Sequence, residues 1–110
     1  MTDKPTGARD AFGHIAPKLA EITDEVLFGD VWERPGLSKR DRSMLTVTTL
    51  IVLSRPNELP FHMKKAIENG VTRDELIEMI THLAFYAGWP SANTAVMLAE
   101  QVFNELDAAG

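Results

Sequence analysis

Two histidines sit inside apolar helical patterns, and the first has a carboxylate four residues ahead of it. Asn57-Glu58-Leu59-Pro60-Phe61-His62 supplies the pair Glu58 and His62. Thr81-His82-Leu83-Ala84-Phe85-Tyr86-Ala87-Gly88-Trp89-Pro90 supplies the second histidine, His82. Positions i and i+4 of a helix share a face, so Glu58 can orient and polarise the His62 imidazole for general acid–base work. The same spacing also suits a plain hydrogen bond on an exposed face. His82 reads as a second proton-transfer group on a consecutive antiparallel helix, or as a histidine satisfied in the core or at a subunit contact. Arg42 and Arg55 flank the helix between them and can hold a substrate carboxylate bidentately, or serve ordinary surface and structural roles. Phe61, Phe85, Tyr86 and Trp89 are candidates for the wall of a small apolar pocket, with core packing as the alternative. Two histidines without a third ligand at H-x-x-x-H spacing give no metal site, and His14 is assigned no role.

The elements that must position these groups read as helices. Pro17 fits a first turn, Leu19, Ile22, Val26 and Leu27 recur at helical spacing, and Gly29 can end that helix. Ser38 can cap a second helix over about Lys39 to Ser54, whose run Met44, Leu45, Val47, Leu50, Ile51, Val52, Leu53 reads as apolar on all sides and therefore central. Asn57 can cap a third that tolerates Pro60 in its first turn and closes at Gly70. Thr72 and Glu75 form a capping box for a fourth that stops at Gly88 and Pro90, and a fifth runs from about Ser91 to Leu106. No strand stands out. The expected architecture is all-α, five to six helices, with residues 1–14 as a polar arm and 15–110 as one domain.

Composition narrows the functions. The 110 residues are 45% hydrophobic, enough for a core, and the net charge of -5 argues against nucleic acid as a partner. Cysteine is absent, which excludes disulfides, thiolate metal sites and thiol peroxidase chemistry. The start Met1-Thr2-Asp3-Lys4-Pro5 lacks the apolar run of a signal peptide, and Val47 to Leu53 is far short of a membrane span. A soluble cytoplasmic protein is the expectation.

Several blocks in order then resemble a known family. These are Phe28-Gly29-Asp30-Val31-Trp32-Glu33-Arg34-Pro35-Gly36-Leu37, Arg42-Ser43-Met44-Leu45, Arg55-Pro56-Asn57-Glu58-Leu59-Pro60-Phe61-His62, Gly70-Val71-Thr72-Arg73-Asp74-Glu75-Leu76 and Tyr86-Ala87-Gly88-Trp89-Pro90. Together they closely resemble the carboxymuconolactone decarboxylase family over roughly residues 15 to 106. The resemblance implies an alkylhydroperoxidase-D-like helical fold, assembly into homotrimers or homohexamers, and active sites near subunit contacts. Thiol peroxidases of the wider superfamily carry Cys-x-x-Cys where this chain has Leu59-Pro60-Phe61-His62, so their activity is not carried over. Glu58 and His62 fall on the decarboxylase branch's acid–base positions, and His82 on a helix that lines the same pocket in relatives. The implied function is a cofactor-independent decarboxylase of a small carboxylated lactone. The alternatives are another cofactor-free lactone proton-transfer enzyme or a non-catalytic oligomeric binding protein.

Overall fold

The computed structural model describes residues 4–110. Its six α-helices are α1 (Gly7–Phe12), α2 (Pro17–Ile22), α3 (Lys39–Val52), α4 (Leu59–Glu68), α5 (Arg73–Ala87) and α6 (Trp89–Ala109). No strand occurs among the described residues. The fold is all-α and of the alkylhydroperoxidase-D-like kind. The chain divides into two compact units, Met1–Lys39 and Arg40–Gly110.

In the first unit, α2 widens into a π-helical stretch, Thr23–Phe28, which ends at Gly29 as its spacing predicts. The expected polar arm is helical over α1, and its first three residues lie outside the described ones. The reason is Asp24. No side chain of α1's own flank caps its N-terminus. Instead the buried Asp24 carboxylate accepts the backbone N–H groups of Ala8 and Arg9, both at 2.9 Å. These are second- and third-position amides of α1, which lack intrahelical partners, so Asp24 acts as an N-cap from fifteen residues away.

The second unit holds the main core. Val47 and Ile51 of α3, Leu59, Met63 and Ala66 of α4, and Leu76 and Ile80 of α5 are buried in one cluster. Helix α6 contributes Ala92, Ala95, Ala99 and Val102, spaced three and four apart along one face. Three alanines in that stripe let α4 and α5 approach α6 closely. Lys64 pairs with Glu105, and Arg73 pairs with Asp107 at 2.8 Å while its guanidinium lies 5.1 Å from the Phe103 ring centre.

Local chemistry sets the boundaries. Gly70, with φ 105°, supplies the left-handed residue after α4, and Val71 N–H reaches back to Ala66 C=O at 2.9 Å. The capping box is complete: Thr72 Oγ1 accepts from Glu75 N–H at 3.0 Å, and Glu75 Oε1 accepts from Thr72 N–H at 2.9 Å. The second Glu75 oxygen meets Arg40 of α3. Thr72→Ala should cost about 1 kcal/mol, read as a lower urea midpoint at unchanged slope. The Thr72 amide, followed by Arg40, holds the Glu75 carboxyl below its ordinary 4.5. Its stabilising contribution is therefore full above that ordinary value and fades as pH falls through the lowered one.

Two expectations are corrected. Asn57 does not cap α4; Glu58 occupies that position without a side-chain cap bond, and Pro60 follows at the second helical residue. Pro60 has no N–H to satisfy, so the first turn needs less capping. Helix α3 is not buried all round. Its core face is Ser43, Val47 and Ile51, while Leu45, Val52 and Leu53 are exposed. In a single chain only one side of α3 is covered.

Candidate active site

His62 is half-buried on the second turn of α4, one position before the buried Met63 and one turn beyond the buried Leu59. Burial, and then the charge of Lys65, push its imidazole below the ordinary 6.5, opposed more weakly by Glu58. The ring is therefore held mainly neutral at pH 7. A neutral imidazole carries one N–H donor and one acceptor nitrogen, the equipment for proton transfer or for stabilising an oxyanion. Phe61 covers its side, with ring centres 5.0 Å apart and edge to face.

Glu58 lies one turn earlier and is exposed. The two residues are linked by the His62 N–H to Glu58 C=O bond at 3.4 Å; no hydrogen bond joins their side chains. Glu58 thus acts on His62 through charge.

The remaining expected residues are distributed as follows. His82 is exposed on α5, and its ring lies 4.9 Å from that of Tyr86 at 33°. The buried face of α5 is Leu76, Ile80, Leu83 and Ala84, which turns His82 away from the core. No hydrogen bond or ring contact joins it to His62 or Glu58. Phe85 and Trp89 pack edge to face at 5.1 Å, both exposed, like Tyr86 and Phe61. Arg42 is half-buried on α3, with its Nε buried. Arg55 follows α3 and is exposed.

Arg55 borders an open cleft of about 230 Å³. Ile51 and Leu59 form its floor, with Pro56 and Pro90 beside them. Ser54, Ser91 and Thr94 supply hydroxyls on the rim. The sequence reading missed these three. The available signal was a serine where α3 must end, a position that Gly70 fills after α4. Among the described residues, no group of three His, Cys, Asp or Glu side chains is placed to hold a metal. No described helix is long and apolar enough to cross a membrane.

The site elements are thus a half-buried histidine on α4 and a cleft that Arg55 borders. The chain belongs to the carboxymuconolactone decarboxylase family, which it matches over residues 17–101. It is similar to the 4-carboxymuconolactone decarboxylase of Acinetobacter baylyi, 46% identical over 82 residues, covering 74% of this chain and 61% of that protein. It is also similar to the nitrosuccinic acid decarboxylase npaB of Metarhizium robertsii, 38% identical over 86 residues, covering 78% and 60%. An uncharacterised 15.0 kDa protein of Paracoccus denitrificans is 28% identical over 100 residues, covering 88% and 74%. The chain spans about three fifths of the length of the first two relatives.

Proposed function

We propose that this protein is a cofactor-independent decarboxylase of a small carboxylated lactone, of the 4-carboxymuconolactone kind. The observation that carries this reading is the half-buried His62, whose imidazole burial holds below its ordinary 6.5, on the same helix as Leu59, which lines the cleft that Arg55 borders. Two decarboxylases among the relatives support it.

In a butenolide with a carboxylate at its γ carbon, the bond to that carboxylate breaks and carbon dioxide leaves. The electron pair passes through the conjugated double bond into the lactone carbonyl, giving a dienolate. The substrate is its own electron sink. A proton then adds to carbon. The protein must stabilise the dienolate oxygen and deliver that proton. Neutral His62 donates its N–H to the dienolate oxygen, and the Glu58 charge favours the ring as it becomes more positive. His82 delivers the proton or positions the substrate, and Arg42 or Arg55 holds a carboxylate that does not react. A guanidinium on the departing carboxylate would stabilise the ground state and slow the reaction. Phe61, Tyr86 and Trp89 exclude water from the bound lactone.

Assembly belongs to this reading. Phe85, Tyr86, Trp89 and Met97 are exposed by 75%, 75%, 55% and 67%, a large apolar outlay for a single chain in water. We assign this surface to contacts between copies in a homotrimer or homohexamer, and with it the approach of His82 to a His62 site. Trp89→Glu is expected to shift the light-scattering mass to the monomer and to abolish turnover; an unchanged mass would remove Trp89 from the contact.

Product analysis tests the reaction. In deuterium oxide, 4-carboxymuconolactone should yield carbon dioxide and a product bearing one solvent deuteron at carbon. Recovery of unchanged lactone, with binding detectable by NMR, would favour the non-catalytic alternative.

A further inference from the structure

The end of α3 departs from the usual pattern of helix ends. Ser54 N–H donates to Ile51 C=O at 3.1 Å, and Arg55 N–H to Leu50 C=O at 2.9 Å. This pair of bonds is a Schellman motif, and its left-handed position normally belongs to glycine. At the end of α4 the same two bonds are made with Gly70 in that place. Here Ser54 occupies it with φ 55°, alone among the described non-glycine residues in having positive φ. A side chain kept there against backbone preference calls for a compensating use. The Ser54 hydroxyl lies 2.9 Å from the Ser91 hydroxyl, at the rim of the cleft that Arg55 borders.

We infer that Ser54, Ser91 and Arg55 form a carboxylate subsite that holds the non-reacting acid group of a short dicarboxylate substrate. The inference rests on the decarboxylase reading only for the word substrate. Three features of the cleft suit a carboxylate. No acidic residue lines it. Arg55 takes part in no ion pair among the described residues, which leaves its guanidinium to an incoming anion. Each hydroxyl can donate to a carboxylate oxygen once their mutual bond opens, so the pair is preset at the spacing a carboxylate spans. The apolar floor of Ile51 and Leu59 accepts the methylene that joins this acid group to the reacting carbon. Leu59 of that floor opens α4, and His62 follows it one turn further along the same helix. Arg55, rather than Arg42, is the substrate's arginine.

The test uses the isotopically labelled full chain, succinate as probe, and its neutral diamide as control. Succinate is expected to shift the Ser54, Arg55 and Ser91 amide signals, and the diamide to leave them in place. Ser54→Gly removes the hydroxyl while relieving the backbone. It should weaken succinate about 10-fold with an equal or higher melting temperature. Arg55→Gln and Ser91→Ala should each weaken it similarly, and in turnover raise KM while leaving kcat nearly unchanged. A merely structural Ser54 would give a more stable variant with unaltered affinity, which would overturn the proposal. So would succinate shifts centred on Arg42. Succinate bound at the cleft of a protein that decarboxylates nothing would uphold the subsite and sink the proposed reaction. Turnover with succinate bypassing the cleft would do the reverse.

Discussion

Replacing His62 with alanine is expected to lower kcat for the carboxylated lactone by on the order of 10²-fold or more. The variant should fold, because the side chain is half-buried at the flank of α4 while Leu59, Met63 and Ala66 carry the packing. The pH profile of the native chain distinguishes the two parts His62 could play. Burial holds the imidazole below its ordinary 6.5. If the neutral ring donates to the dienolate oxygen, kcat is level through neutral pH and falls only as pH drops through the lowered value. If the imidazolium is the proton donor, kcat instead falls as pH rises through that value. The account predicts the first profile. The same shift links to stability: between 6.5 and the lowered value the unfolded chain binds the proton more readily, so stability declines as pH falls across that window. His62→Gln should lose this part of the decline. A near-native kcat for His62→Ala would remove the residue from the mechanism.

Asp24→Ala is expected to loosen the Met1–Lys39 unit. The carboxylate satisfies two amides of α1 from a nearly solvent-free position, exposed by only 1%. Hydrogen bonds to a charged acceptor contribute about 1.5–3 kcal/mol each, and the alanine leaves both amides without it. A loss of about 3 kcal/mol is expected for the local structure, enough to open α1 in a large share of molecules. Asp24→Asn should be intermediate, because one amide oxygen can still accept while its NH₂ group faces a donor. Amide hydrogen exchange at Ala8 and Arg9 reads the effect directly. Protection equal to that of the native chain in the alanine variant would show that α1 stands without this cap.

Much of the helical punctuation was legible because it is local chemistry. Pro17, Gly29, Gly70, the Thr72–Glu75 box and Gly88 all mark ends where the structure has them, and α3 formed as a helix despite its β-branched residues. What escaped depends on partners distant in sequence. Helix α1 reads as a polar arm because its cap, Asp24, lies inside another amphipathic run. Ser54 reads only as the last residue of the second helix because nothing local reveals its backbone conformation or its bond to Ser91. The Glu58–His62 spacing placed both groups on one side of α4, but the length of a glutamate did not make the bond. His82 shows the limit of counting sequence neighbours. Met79, Ile80, Leu83 and Ala84 surround it in the chain, yet Ile80, Leu83 and Ala84 turn inward while His82 turns to Tyr86 at the surface. The apolar character of α3 was real, and the sequence could not distinguish a helix buried all round from one with a second face left exposed.

The central claim is that this chain decarboxylates a carboxylated lactone without a cofactor. It is tested most directly by adding 4-carboxymuconolactone to purified protein dialysed against a chelator and measuring carbon dioxide against lactone consumed. The account predicts one carbon dioxide per lactone, at a rate proportional to protein and unaffected by dialysis. Carbon dioxide at the rate of the protein-free solution, or turnover that dialysis abolishes and added metal restores, would contradict it.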